Sequence, residues 1–170
     1  SGSDGVVLSG TTGESPTLTT DEKMRLFSEV KQSVGDKGVV IAGTGTYSTA
    51  ESIELSQEAE KQGVDGLLLV VPYYNKPPQE GMYQHFKAIA GNTDLPCIVY
   101  NIMGRTGVNM TDETTIRLSQ IDNIVGTKEA SGDMNQIARI IQGAGPDFRV
   151  WSGDDNQTFL IMSMGGYGVV

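Results

Sequence analysis

At 170 residues the chain is long enough for one hydrophobic core and too short for two comfortable ones, and its 38% hydrophobic against 19% charged composition excludes a wholly disordered polymer. A balance of 12 Lys plus Arg against 21 Asp plus Glu gives a net charge of −9, which repels phosphate backbones and anionic headgroups, so neither nucleic acid nor membrane is an expected partner. No apolar run approaches the ~18 residues of a membrane span, and Ser1-Gly2-Ser3-Asp4 lacks the basic and apolar regions of a signal peptide, which makes a cytoplasmic location the expectation.

In chain order, short apolar runs recur: Val6-Val7-Leu8, Val39-Val40-Ile41-Ala42, Leu67-Leu68-Leu69-Val70-Val71, Cys97-Ile98-Val99-Tyr100, Ile124-Val125-Gly126, Val150-Trp151 and Gly168-Val169-Val170. Each has the length and β-branched content of a strand buried on both faces, as in a parallel sheet. Amphipathic segments lie between them. Thr20-Asp21-Glu22 precedes Met24, Leu26, Phe27 and Val30. Ser48 to Glu51 has capping-box spacing and precedes Ile53, Leu55 and Ala59. Thr111-Asp112-Glu113 precedes Ile116 and Leu118. Gly63, Gly91 and Gly143 stand where these helices should stop. The alternation predicts βα units around a parallel sheet.

Two architectures share that pattern, and the placement of polar residues separates them. Thr11-Thr12-Gly13-Glu14, Thr44-Gly45, Tyr73-Tyr74-Asn75, Tyr100-Asn101, Lys128-Glu129 and Ser152-Gly153-Asp154-Asp155 each follow a strand. An open doubly wound sheet gathers its functional residues at one switch point, whereas a (β/α)8 TIM barrel builds its site from many strand ends. A barrel is therefore expected, here a truncated one. Residues 1–170 are expected to form a single partial TIM-barrel domain with six complete βα units and a seventh strand.

Lys128 follows an apolar strand, where a desolvated lysine loses proton affinity and becomes a nucleophile able to form a Schiff base with a ketone. Pairing with Glu129 is the bland alternative. Tyr100 ends the preceding strand, where its hydroxyl could pass protons to such an amine, or simply be a core aromatic with a backbone partner. Thr11 and Thr12 open a turn whose amides and hydroxyls suit a carboxylate. Arg105 lies between Gly104 and Gly107 with a fork that matches a carboxylate in bidentate fashion. Cys97 is the one cysteine and His85 the one histidine, which excludes an internal disulfide and any Cys- or His-cluster metal site; Cys97 reads as an inert buried thiol.

The set Gly10-Thr11-Thr12-Gly13-Glu14-Ser15, Pro72-Tyr73-Tyr74-Asn75-Lys76-Pro77, Tyr100-Asn101, Gly104-Arg105-Thr106-Gly107, Lys128-Glu129-Ala130 and Ser152-Gly153-Asp154-Asp155 resembles the dihydrodipicolinate synthase/N-acetylneuraminate lyase family of pyruvate-dependent class I aldolases, over essentially the whole chain. The resemblance implies a Schiff base between Lys128 and pyruvate with no separate cofactor and no metal. It implies proton transfer through Tyr100, Thr11 and Tyr74, the last reaching into a neighbouring subunit's site. It implies binding of the pyruvate carboxylate at Thr12, framing of substrate by backbone groups of Gly153 and Val170, and L-aspartate-4-semialdehyde as second substrate, held by Arg105, in the diaminopimelate route to lysine. A homo-oligomer, dimer or tetramer, is implied as well. Two alternatives stand beside this: a related aldolase acting on a sugar acid, and a non-catalytic partial barrel. Met103, Thr127 and Tyr47 depart from the family's common residues, and the segments matching the first strand and the C-terminal helices are missing.

Overall fold

The computed structural model describes residues 2–170. Seven strands, β1 (Gly5–Leu8), β2 (Val39–Gly43), β3 (Gly66–Val70), β4 (Cys97–Asn101), β5 (Ile124–Glu129), β6 (Arg149–Ser152) and β7 (Gly168–Val169), form one sheet. They pair in the order of the chain, β1 to β7, and every pairing is parallel. A doubly wound sheet reverses its strand order at a switch point; this one never does, and so curls as the wall of a (β/α)8 barrel. β1 and β7 each have one paired neighbour. They are accordingly more exposed than the two-face burial expected of every strand, with Val6 and Val169 reaching 41% and 53%.

The helices are α1 (Thr20–Val34), α2 (Thr49–Lys61), α3 (Gln79–Ala90), the single turn α4 (Met103–Thr106), α5 (Asp112–Leu118), α6 (Met134–Gly143) and α7 (Thr158–Ser163). Local chemistry sets their ends. The full capping box is at α1: Thr19 accepts from the Glu22 amide while Glu22 accepts from the Thr19 amide at 2.8 Å. At α2 the expected box is half formed. Ser48 caps the Glu51 amide, but the Glu51 carboxylate takes the Thr46 hydroxyl at 3.1 Å instead of turning back to Ser48. Gly63 ends α2 with φ 78°, as its position predicts, whereas Gly143 is still helical and the left-handed residue after α6 is Gly145 at φ 91°.

Strand periodicity divides the apolar side chains between two layers. Leu67, Leu69, Cys97 and Val99 pack outward with Phe27, Phe86 and Ile89 of the helices, all fully buried. Leu68, Ile98 and Tyr100 point inward with Val7, Ile41, Val70, Val125 and Trp151. That inner cluster draws on β1 through β6 and lines a concave surface, as the lumen of a barrel requires. Cys97 lies in the outer layer with no exposure, its thiol pushed up to about 12 by burial and by the Glu60 charge, which is the inert state its sequence context implied.

Candidate active site

β5 runs on through Thr127, Lys128 and Glu129, so Lys128 is inside a strand rather than after it. A bulge decides its orientation. Cys97 pairs with Ile124, yet Ile98 pairs with Gly126, leaving Val125 as the extra residue. Without that skip Tyr100 would face Thr127; with it, Tyr100 and Lys128 are direct partners. Glycine is needed at 126, because a Cβ there would come within 2.3 Å of the Arg149 carbonyl and 2.5 Å of the Trp151 ring.

Period-2 alternation then sends Lys128 and Glu129 to opposite faces. Lys128 turns into the lumen, half-buried, with Nζ 4.2 Å from the centroid of the Tyr100 ring. Among the described residues it has no hydrogen-bond or ion-pair partner. Burial therefore holds its amine below the ordinary lysine range. Glu129 is fully buried on the outer face, accepting from Asn101 Nδ2 at 3.0 Å and from Ser131 Oγ at 2.7 Å. Burial raises its carboxyl to about 7, against the pull of the Ser131 and Asn101 hydrogen bonds. A Lys128–Glu129 ion pair is thus excluded by strand geometry.

A cleft of about 250 Å³ opens from the C-terminal ends of β1 to β4, with Ser9, Thr11, Tyr73, Tyr100, Ile102 and Arg105 in its wall. Tyr100 is 4% exposed. Burial pushes its hydroxyl up, while the Arg105 charge and a side-chain hydrogen bond with Thr11 pull it back. Lys128 lies one strand farther round, joined to the cleft through the Tyr100 ring. Arg105 lies in the single turn of α4 and forms no ion pair among the described residues, so its fork is available to a ligand anion.

The remaining candidates are placed differently. Thr12 is exposed in a turn closed by Glu14 N to Thr11 O at 3.1 Å and Ser15 N to Gly10 O at 3.4 Å, neither of which uses the Thr12 amide. Gly153 supplies room: a Cβ there would sit 2.9 Å from Lys128 Cε. Its amide is already committed to the Glu129 carbonyl at 2.8 Å, and that of Val170 to the Ser152 carbonyl at 2.9 Å, so any framing of a ligand by these two residues falls to their carbonyls. Tyr74 is 89% exposed, with φ 67°, and turns away from this chain's cleft. Its neighbour Tyr73 lines the cleft instead, packed edge-on against Tyr47 at 5.3 Å. Sequence reasoning missed Ser9 and Tyr73 as wall residues and Glu129 as a buried acid; alternation along Thr127-Lys128-Glu129 was the available signal for the last.

A family model described as the dihydrodipicolinate synthetase family matches residues 1–170. The 4-hydroxy-tetrahydrodipicolinate synthase of Moorella thermoacetica is 64% identical over 169 residues, which are 99% of this chain and 58% of that protein. The crystal structure of a dihydrodipicolinate synthase from Bacillus anthracis superposes with a TM-score of 0.98 at 50% identity, over 99% of this chain and 58% of that one. A chloride-inhibited dihydrodipicolinate synthase from Acinetobacter baumannii, solved in complex with pyruvate, superposes with a TM-score of 0.97 at 44% identity and the same coverage. The chain spans 58% of the length of each of these proteins.

Proposed function

Because the chain belongs to the dihydrodipicolinate synthetase family, we propose that its lumen condenses pyruvate with L-aspartate-4-semialdehyde to give 4-hydroxy-tetrahydrodipicolinate, as a cytoplasmic step of lysine biosynthesis. The observation that carries this reading is the Lys128 amine, unpaired and partly desolvated, 4.2 Å above the Tyr100 ring. A neutral amine adds to the ketone carbon of pyruvate, and loss of water gives the imine. Each of these steps moves a proton between nitrogen, oxygen and solvent, which the Tyr100 hydroxyl, in the cleft wall with Thr11, is placed to carry. Loss of a methyl proton makes an enamine carbon nucleophile for the aldehyde. The activating group is the lysine itself, so the reading calls on no cofactor or metal.

Carboxylates of both substrates need cationic or amide partners. The turn at Thr11 and Thr12 supplies hydroxyls and amides for pyruvate, the Gly153 and Val170 carbonyls are offered from the ends of β6 and β7, and Arg105 supplies a fork for the semialdehyde. The pyruvate complex of the Acinetobacter baumannii relative supports the first substrate. Tyr74, exposed and absent from its own cleft, fits a role in a neighbouring subunit's site within a homo-oligomer.

Turnover of the two named substrates by this chain tests the reading. Arg105→Ala is expected to raise KM for the semialdehyde while leaving pyruvate capture at Lys128 near normal. Equal damage to both substrates, or no condensation at all, overturns it.

A further inference from the structure

Arg105 projects from a four-residue turn with no ion pair of its own, so something else must fix its direction. On one side the turn is tied by Thr106, whose hydroxyl donates to the Ile102 carbonyl at 3.0 Å and the Val108 carbonyl at 2.9 Å. On the other side the chain returns to α5 through Asn109, Met110 and Thr111. Met110 is fully buried, and a buried peptide needs partners for its N–H and its C=O. No strand lies beside it; side chains stand in.

Two carboxamides do so for Met110 and a third holds the residues on either side of it, the three coming from three different elements. Asn101 of β4 accepts from the Met110 amide at 3.1 Å and donates to the Met110 carbonyl at 3.2 Å. Gln136 of α6 donates to that same carbonyl at 3.1 Å and accepts from the Asn109 side chain at 2.7 Å. Gln79, the first residue of α3, donates to the Asn109 carbonyl at 2.7 Å and accepts from the Thr111 amide at 3.0 Å. A carboxamide is the side chain that carries a donor and an acceptor as a peptide does, so Asn101 and Gln79 each present the edge of a strand without a strand, while Gln136 bonds one carbonyl and one side chain. Glu129 accepts from the Asn101 Nδ2 at 3.0 Å, which connects the clamp to the strand bearing Lys128.

We propose that Gln79, Asn101 and Gln136 are positioning residues for the second substrate: by holding the Asn109–Thr111 leg from three sides they fix the turn that aims Arg105 into the cleft. The proposal rests on the reading of Arg105 as the carboxylate-binding residue. A displacement of ~1 Å at such a group is enough to cost about 10²-fold, so relaxing the leg has a visible effect on substrate use without touching the amine.

The test uses Gln79→Met, which keeps side-chain volume and removes the hydrogen bonds to the Asn109 carbonyl and the Thr111 amide, together with those Gln79 accepts from the Thr111 and Thr114 hydroxyls. Four proteins are compared: the unaltered chain, Gln79→Met, Arg105→Ala and the double variant. Gln79→Met should raise KM for L-aspartate-4-semialdehyde about 10-fold or more while borohydride trapping of pyruvate on Lys128 persists. In the Arg105→Ala background it should add nothing, because both changes act on one group. An unchanged KM, or an equal effect with and without Arg105, overturns the proposal. Amide hydrogen exchange through residues 103–111 supplies a readout independent of turnover and should quicken in Gln79→Met and in Gln136→Ala. If the unaltered chain fails to trap pyruvate, the function proposed above falls and exchange alone judges the clamp, with unchanged protection counting against it.

Discussion

β4 and β5 carry two polar pairs one residue apart, and the two faces of the sheet treat them oppositely. Inside the barrel, Tyr100 and Lys128 face each other with no ion-pair partner to quench the amine. Outside, Asn101 and Glu129 occupy the next register position and are bonded to Ser131, Asn109 and the Met110 backbone. Buried polar groups ordinarily end as the outer pair does, satisfied and held. The inner pair keeps its capacity to bond, and the outer network keeps the strands in the register that brings the inner pair together.

The largest effect that would break this contrast is at the amine. Lys128→Ala should abolish pyruvate-dependent labelling while leaving the circular dichroism of the chain intact, since the lumen loses a half-buried side chain and no hydrogen bond. Tyr100→Phe, which keeps the ring beneath Nζ and removes the hydroxyl, should slow condensation by about 10² to 10⁴-fold, the range for a positioned proton carrier. Capture of pyruvate by borohydride should suffer less than condensation in that variant. Equal rates with and without the hydroxyl would make Tyr100 a packing residue like its outer neighbours.

The outer network should instead appear in stability. Glu129 has its carboxyl raised from 4.5 to about 7, so the folded chain retains a proton that the unfolded chain gives up. Its contribution is therefore favourable at low pH and is lost as pH rises from about 4.5 through 7, by up to about 3 kcal/mol. His85, buried on α3 with Nδ1 bonded to the Thr49 hydroxyl at 2.9 Å, is lowered from 6.5 to about 4 by burial. Its sign is opposite: stability is present above 6.5 and is lost as pH falls toward 4. Between pH 4.5 and 6.5 the two slopes oppose each other. Denaturant midpoints measured across that window should be nearly flat for the unaltered chain, climb with pH in Glu129→Gln and fall with pH in His85→Asn. A flat profile in both variants would show that neither group titrates as its burial requires.

The smallest effect is at Thr127, whose buried hydroxyl has no hydrogen-bond partner. Thr127→Val removes that orphan at nearly constant shape and should stabilise the chain by about 1 kcal/mol, read as a higher urea midpoint at unchanged m-value. It is the one residue on the outer side of β5 that departs from the rule its neighbours follow.

Much of this was legible in the residues. The seven apolar runs all became strands, six of them within one residue of their expected bounds and the fifth running three residues further, to Glu129; the strand-end pattern pointed to a barrel, and Lys128, Tyr100, Thr11 and Arg105 gather around one concave surface. What escaped is informative. The facing of Tyr100 and Lys128 depends on the bulge at Val125, and a bulge is a relation between two strands that neither strand's own pattern encodes. Glu129 beside Lys128 reads as an ion pair in a string of letters, and only alternation across the pleat separates them. Tyr73 and Tyr74 are chemically identical neighbours; the left-handed backbone at Tyr74 is what sends one into the cleft and the other into solvent. The carboxamide clamp draws Gln79, Asn101 and Gln136 from three separate elements onto one leg of chain and has no local signature at all.

The central claim is that Lys128 is a sheltered amine that reacts as a free base. Incubating the chain with pyruvate and borohydride over a range of pH, then mapping the adduct by peptide mass spectrometry, tests it most directly. The account predicts a single reduced adduct, on Lys128, whose formation persists well below the ordinary lysine range near pH ~10.4. Label spread over several lysines, or adduct appearing only at strongly alkaline pH, would contradict it.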